Sequence, residues 1–355
     1  MSADRFIIAD DTYEDHHGRV VRVAVLTDRH SGELAEILFN TPGGDNRSNG
    51  SGGVNGLLLR DAVSGELREI MPYRKGFVGG LMAPFANRVS GGAYSFGGER
   101  HQLFRNWDEV TTRITRTGQH AIHGLLPREL VQVGRHVTEG EARLTLGASF
   151  AGEDEGYPFL VDVEFTYCLS VERGFSIHVA ATNRASNGRP APFMVGWHPY
   201  FLMEGPVDEA VLAFDRRSAF IRSIPVSGGG DGRERDSHPT GRSEPSTDFT
   251  QGRSLGHNYW DDGFKAIAST LAVPQLETSL SDSAADGEDS LVVLWQDAQC
   301  RFIQVYTGLR ERGAIAIEPM SGQTDCFNNG DGLVVLQAGE TWETAFGVRL
   351  APRSG

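Results

Sequence analysis

The amino-acid sequence predicts an all-β protein, a large antiparallel β-sandwich with two packed sheets. Three segments alternate apolar and polar residues, which places their apolar side chains on one face of a half-buried sheet: 143–150, 161–169 and 175–181. The 44 glycines and 15 prolines stand between short apolar runs, as turns do between strands. No convincing amphipathic helix longer than about three turns interrupts this pattern. Together these observations favour packed sheets over a helical bundle.

The domain organisation follows from the same pattern. Two stretches, 41–53 and 227–254, are rich in small and polar residues and are expected to be mobile loops. Strand patterns resume on both sides of each, so we expect one domain over residues 1–355. Further strand candidates near the C-terminus are 291–295, 301–307, 314–317 and 333–337.

The composition excludes several classes of function. Hydrophobic residues make up 39% of the chain and charged residues 23%, as in soluble globular proteins. The formal net charge of -14 disfavours binding to nucleic acid or anionic membranes. We see no apolar run of roughly 18 residues, no signal peptide and no CxxC pair among the three cysteines. A cytoplasmic protein with neither nucleic acid nor a membrane as partner is therefore expected. We also expect a monomer or a homodimer.

Four short segments combine glycine, proline and aromatic residues around a titratable or hydrogen-bonding side chain. In one of them, His198 lies between Trp197 and Pro199. A histidine pKa near 6.5 suits proton transfer at neutral pH, and aromatic neighbours can lower the local dielectric. A structural histidine in an aromatic corner fits the same pattern. The four segments are 82–89, 121–124, 196–201 and 317–321.

The other three segments supply His123, Glu318 and Arg88. His123 precedes Gly124, which permits a close backbone approach. Glu318 follows an apolar strand, where a carboxylate tends to have a raised pKa and to lie in a pocket. Arg88 offers a fork of hydrogen-bond donors. Each has a structural alternative: a packed histidine, a strand-end carboxylate paired with an arginine, and a salt-bridge partner.

Taken together, these segments resemble one family, the aldose 1-epimerases or galactose mutarotases, over about residues 81–350. Asn87-Arg88-Val89 and the glycine-rich 91–98 resemble the family's Asn-Arg-Ile strand and turn. The segments 121–124 and 198–201 resemble its two histidine motifs, although Leu125 stands where many members have glycine. That difference bears on the shape of one pocket wall.

The C-terminal half adds two further motifs. Trp-Asp-Asp-Gly-Phe at 260–264 resembles the family's segment with a substrate-binding aspartate. Glu-Pro-Met-Ser at 318–321, followed by 324–328 and 336–340, resembles its C-terminal signature. The resemblance implies the supersandwich, galactose mutarotase-like fold and the interconversion of the α and β anomers of a free aldose.

The resemblance also implies roles for individual residues. Glu318 would be the base at the C1 hydroxyl and His198 the acid at the ring oxygen, with His123 hydrogen-bonding nearby. No cofactor or metal is expected. Arg88, Asn87 and Asp261 would hold the monosaccharide's hydroxyls. Asp261 is chosen over Asp262 because it stands three residues before Phe264, as in the family pattern. Trp197 is a candidate stacking surface for a sugar or, alternatively, a core tryptophan.

Four other functions compete with this interpretation. Two histidines and a glutamate can make a zinc-type triad, although the sequence has no HxH or HxxxH spacing. A glycoside hydrolase would normally need two carboxylates flanking the bond. A carbohydrate sensor can keep the fold and lose turnover. A hexose-6-phosphate mutarotase is disfavoured by the intact Asn87-Arg88.

Overall fold

The computed structural model of the protein describes most of the chain, and nearly all of its regular structure is β-strand. The described residues are 4–15, 18–40, 51–74, 79–108, 113–114, 118–152, 154–214, 220–223, 248–266, 275–282 and 290–352. Most of the two expected mobile loops, 41–50 and 227–247, lies outside this part, so their mobility stays a prediction. Within it, no helix has the length and apolarity that crossing a membrane requires.

One layer of the molecule is an antiparallel sheet in which nine described strands pair side by side. In spatial order they are β13 (Val131–Val137), β14 (Glu141–Ala151), β15 (Leu160–Ser170), β16 (Gly174–Asn183), β29 (Thr341–Ala351), β25 (Leu291–Asp297), β24 (Gln275–Ser281), β20 (Val211–Phe214) and β22 (Arg253–Ser254). The alternating segments predicted as strands lie in β14, β15 and β16, and their apolar residues are the buried ones. The strand expected at 291–295 is part of β25. These predictions are confirmed.

The second layer is an antiparallel sheet of seven described strands, six in a row and a seventh beside them. They are β21 (Phe220–Ser223), β23 (Asp261–Ala266), β26 (Phe302–Tyr306), β27 (Ala314–Met320), β18 (Gly196–His198) and β6 (Gly80–Met82), with β19 (Tyr200–Leu202) pairing on β27. β27 runs past the predicted end at residue 317, because it pairs with β26 on one side and with β18 and β19 on the other. Glu318 therefore lies inside a central strand.

The two large sheets pack face to face through aromatic side chains. Trp197 of β18 stacks on Phe346 of β29, with ring centroids 5.7 Å apart and planes 13° from parallel. Phe264 of β23 meets Phe214 of β20 edge-on at 5.0 Å. Because side chains alternate along a strand, the residues next to these point to the other face of the seven-stranded sheet. His198 thereby lies on the outer face, turned away from the nine-stranded sheet.

A third sheet is formed by the N-terminal strands, which pair in chain order as an antiparallel meander. Its strands are β1 (Phe6–Glu14), β2 (Val20–Asp28), β3 (Leu34–Leu38), β4 (Val54–Arg60) and β5 (Leu67–Met71). Part of it is buried on both faces: Ala24 and Ile37 join the main core, whereas Val23 and Leu38 form a small second cluster. Burial on both faces produces continuous apolar runs in place of alternation, which explains why the period-two pattern does not reveal these strands.

Short elements complete the described chain. Two-stranded ladders join β7 (Arg88–Val89) to β12 (Ala121–Ile122), β8 (Ala93–Phe96) to β9 (Glu99–Gln102), β10 (Trp107–Asp108) to β11 (Arg113–Ile114), and β17 (Ala191–Phe193) to β28 (Val334–Leu336). The helical turns are α1 (Cys326–Asn329) and the 3-10 turns Ser90–Gly92, Ala185–Asn187, Val207–Glu209 and Arg310–Arg312. β28 confirms the strand expected at 333–337.

Candidate functional site

The outer face of the seven-stranded sheet holds His198 and Glu318 side by side. Since Gly196 pairs with Met320, the antiparallel register puts His198 opposite Glu318 on the neighbouring strand. The His198 Nε2 lies 3.3 Å from the Glu318 Oε1, and the two side chains are 15% and 2% exposed. Cross-strand neighbours of this kind are near enough to exchange a proton directly or through one bound molecule.

Burial sets the proton affinity of both partners, in opposite directions. It raises the pKa of Glu318 well above the usual range, and the negative charge of Asp261 adds to this effect. It lowers the pKa of His198 to about 4. Each shift disfavours the charged form of its group. The pair therefore favours one shared proton over two protons or none.

Neither member of the pair is fully satisfied by the protein. Among the described residues, the Glu318 Oε2 and the His198 Nδ1 are buried without a hydrogen-bond partner. Native proteins contain few such atoms, and each one calls for an explanation such as a ligand or a catalytic role. The His198 ring is itself held by stacking on Tyr200, at 4.8 Å between centroids. Packing thus sets the orientation of the His198 ring, while its Nδ1 has no hydrogen-bond partner among the described residues.

His123 reaches the same place from a tight turn after β12. It adopts a left-handed backbone conformation with φ 63°, and its amide donates to the Asn87 carbonyl at 2.9 Å. Gly124 is required next, because a Cβ there would lie 2.3 Å from the Ala83 carbonyl oxygen. The His123 ring meets the His198 ring at 5.3 Å with planes 79° apart. Burial, followed by the charges of His198 and Arg88, lowers the pKa of His123 well below its usual value, which favours the neutral ring.

Asp261 joins the outer face from β23, where it pairs with Tyr306 of β26. The Gln304 amide Nε2 donates to the Asp261 Oδ1 at 2.7 Å. Asp262, the next residue, is 1% exposed and by alternation lies on the core face. Of the two aspartates, Asp261 lies on the same face of the sheet as Glu318, which agrees with the choice of Asp261 over Asp262.

Arg88 and Asn87 are brought to the site by the ladder of β7 with β12, in which Arg88 pairs with Ile122. The guanidinium is near enough to His123 to lower the pKa of that ring. Within the described part of the chain Arg88 makes no ion pair, so the salt-bridge alternative finds no support there. Asn87 is 6% exposed with φ 52°, and its carbonyl accepts the His123 amide.

Trp197 does not fit the stacking role considered for it. Its side chain is 0% exposed and one ring face is covered by Phe346. Its indole Nε1 donates to the Gly79 carbonyl at 3.1 Å. The strand alternation that turns His198 outward turns Trp197 into the core. Trp197 is a core tryptophan that supports the site from beneath.

The structure adds residues that the motifs alone did not single out. Gln304 pairs directly with Glu318, and Tyr306 lies two residues further along β26 on the same face. Tyr306 meets the rings of His198 at 6.3 Å and Tyr259 at 6.1 Å. The available signal was alternation: in the predicted strand at 301–307, a polar residue at 304 shares its face with the aromatic residue at 306.

A metal site is the alternative to an acid–base pair for these residues. Across the described residues, no three His, Cys, Asp or Glu side chains are grouped so as to hold a metal ion. The two histidines and Glu318 meet beside the rings of Tyr200 and Tyr306. Their geometry suits an acid and a base acting on one small polar molecule.

Comparisons with known proteins show what this chain is similar to. A family model described as aldose 1-epimerase matches residues 66–349. The uncharacterized protein YihR of Escherichia coli is 26% identical over 278 residues, which span 76% of this chain and 78% of that protein.

Solved structures match along almost the whole chain. A galactose mutarotase-like protein from Clostridium acetobutylicum superposes with a TM-score of 0.70 at 13% identity, covering 99% of this chain and 100% of that one. The galactose 1-epimerase of Lactobacillus acidophilus gives a TM-score of 0.67 at 15% identity, covering 98% and 99%. At such identities the likeness shows the fold. The all-β, galactose mutarotase-like architecture expected from the sequence is confirmed.

Proposed function

The chain belongs to the aldose 1-epimerase family, and on that premise we propose that it is an isomerase that interconverts the α and β anomers of a free aldose. The observation that carries the proposal is the buried pair of His198 and Glu318, 3.3 Å apart with oppositely shifted pKa values. Ring opening needs a base and an acid near one acetal carbon, and this pair supplies both.

The proton movements follow from the chemistry of a hemiacetal. Glu318, as carboxylate, takes the proton of the C1 hydroxyl, while protonated His198 gives its proton to the ring oxygen. The ring opens to an aldehyde, the C1–C2 bond rotates, and the reverse transfers close the ring on the other carbonyl face. The pair holds one proton before and after each transfer. Two protons and no electrons move, so the reaction needs no redox cofactor.

The opposite pKa shifts favour the net proton movement that opens the ring. In water a carboxylate is a far weaker base than imidazole, so a proton would stay on the histidine. Burial raises the pKa of Glu318 and lowers that of His198, which favours moving the pair's proton from His198 to Glu318, the net change that ring opening makes in the pair. A mutarotase must run in both directions, because its substrate and product differ little in free energy.

The remaining site residues position the sugar in this proposal. Arg88, Asn87 and Asp261 hold sugar hydroxyls, and His123 hydrogen-bonds near the ring oxygen, where charge develops. Support comes from the buried His123 Nδ1, which has no partner among the described residues. Gln304 holds Asp261 by the 2.7 Å hydrogen bond described above.

Polarimetry tests the proposed function directly. Freshly dissolved α-glucose and α-galactose are expected to mutarotate faster with the protein than without it, and equally fast after chelation of divalent metals. Sugar binding with no acceleration would make the protein a carbohydrate sensor and overturn the proposal. Release of a reducing sugar from a disaccharide panel would indicate a glycoside hydrolase. Acceleration confined to hexose 6-phosphates would contradict the free-aldose substrate.

A further inference from the structure

Asp325 lies behind the site in an unusual backbone conformation. It stands at the entry to α1, five residues after the end of β27, with φ 64° and 4% exposure. A non-glycine residue in the left-handed region costs about 1 kcal/mol, although aspartate and asparagine tolerate it best. A buried carboxylate in that conformation is retained only where its contacts repay the cost.

Its contacts point to the strand that carries Arg88. The Asp325 amide donates to the Arg88 carbonyl at 2.8 Å, and its Oδ1 accepts the Ser90 amide at 2.9 Å. The same Oδ1 accepts the Asn328 Nδ2 at 2.7 Å, and that amide nitrogen also donates to the Ala93 carbonyl at 3.0 Å. Residues 88–93 are thus fastened to α1 at three backbone groups.

The carboxylate is not used as a helix cap. An aspartate before the first helical residue usually accepts the helix's own first amides. The Asp325 side chain makes no such bond to α1 and turns to Ser90 instead. The Asp325 carboxylate therefore holds the neighbouring segment in place and does not cap α1, a helix of four residues.

We propose that Asp325 is a positioning residue that holds Arg88 at the sugar site in register with Glu318. Asp325 is close to Glu318 along the chain, since β27 carries Glu318 and leads directly into the turn that ends at Asp325. On the other side, the Asn87 carbonyl accepts the His123 amide. Asp325 thus acts on Arg88 through the backbone and touches no sugar. This inference rests on the proposed function, in which Arg88 binds the substrate.

Three variants separate the carboxylate from the backbone conformation. Asp325→Asn keeps an Oδ1 acceptor and tolerates the positive φ, so it should retain activity within about threefold. Asp325→Gly keeps the backbone freedom and loses the acceptor, and its KM should rise about tenfold with kcat within about threefold, as expected when uniform substrate binding is lost. Asn329→Ala is the matched control, because the Asn329 Nδ2 donates to the Thr324 carbonyl within the same turn and Asn329 makes no described hydrogen bond to 88–93.

A double-mutant cycle with Arg88→Ala decides between positioning and general loosening. If Asp325 acts through Arg88, the glycine substitution changes KM in the wild-type background and has no further effect when Arg88 is already alanine. Additive effects on KM, or an equal KM increase in the Asn329→Ala control, would overturn the inference. Hydrogen exchange at the Ser90 amide gives a readout independent of sugar, and should accelerate in the glycine variant alone.

The two proposals fail in distinguishable ways. A wild-type protein that does not accelerate mutarotation would overturn the proposed function, and the same cycle is then run on the Kd of the bound sugar. An active wild type whose cycle shows no coupling between Asp325 and Arg88 would overturn the positioning role alone.

Discussion

Two buried glutamates in different sheets differ in how the protein satisfies them. Glu36, in the N-terminal sheet, is 0% exposed and has both oxygens bonded. Its Oε1 accepts the Asn55 Nδ2 at 2.6 Å, and its Oε2 accepts the Arg74 Nε and Nη2 at 2.8 and 2.6 Å. Glu318 is 2% exposed, has His198 at 3.3 Å, and has no partner for its Oε2 among the described residues.

The contrast teaches that burial alone does not mark a functional carboxylate. Arg74 neutralises Glu36 and also lies over the Tyr13 ring at 4.1 Å, so this cluster ties strands together with its buried carboxylate paired. The raised pKa of Glu318 instead favours the neutral, protonated form of its carboxyl group. An unsatisfied buried group lowers stability, so its presence calls for an explanation such as a ligand or a catalytic role.

Glu318→Gln should produce the largest effect in the molecule. Removing the base is expected to lower kcat for mutarotation by about 10²–10⁴-fold, the usual contribution of a well-placed acid or base. Because glutamine carries no charge to bury, the urea midpoint should stay the same or rise. Polarimetry and urea denaturation measure the two quantities. Near-normal turnover of a folded variant would remove Glu318 from the mechanism.

Glu36→Gln should lower the stability of the protein and leave its turnover unchanged. Losing the anion leaves Arg74 with one fewer partner in a buried cluster, and the free energy of unfolding should fall by about 3 kcal/mol. Arg74 keeps Asp11 as a second partner, which limits the loss. In the folded protein kcat/KM should be unchanged. A large change in turnover without loss of stability would contradict the division between the two clusters.

Trp197→Phe tests whether that tryptophan belongs with the structural group. The variant loses the indole bond to the Gly79 carbonyl, so stability should fall by about 1–2 kcal/mol. KM for the sugar should stay within about twofold of wild type, since the side chain has no exposed surface. A KM increase at unchanged stability would restore the stacking role.

The smallest expected effect concerns the pH dependence of kcat/KM, which should depend on Glu318 and not on Glu36. Binding of a second proton to the His198 and Glu318 pair should abolish activity, and burial lowers the pKa of His198 to about 4. The acid limb should therefore lie well below pH 6.5, and activity at pH 5.5 should be close to the plateau. An unperturbed histidine would leave about a tenth at that pH.

The alkaline limb is set by loss of the last proton, which the raised pKa of Glu318 moves upward. Both apparent values belong to the coupled pair. Glu36→Gln should leave the profile unchanged, because Glu36 is not part of the pair. Initial rates at each pH, corrected for the spontaneous reaction, give the profile.

The sequence by itself determined the strand class and most of the candidate site. Period-two alternation in β14, β15 and β16 is a local property that follows directly from burial of one face, and short motifs around His123, His198 and Glu318 are readable without knowledge of the fold. The choice of Asp261 over Asp262 came from the motif spacing to Phe264. The N-terminal strands lack this signal because part of their sheet is buried on both faces.

Only the tertiary structure decided which of these residues meet and how. The register of β18 on β27 puts His198 beside Glu318, and the pairing of β26 adds Gln304 and Tyr306. The same packing turned Trp197 into the core. Register depends on hydrogen bonds between strands far apart in the chain, and a shift of one residue would exchange the two faces. The composition and the motif spacing of the sequence therefore do not show which strand register forms.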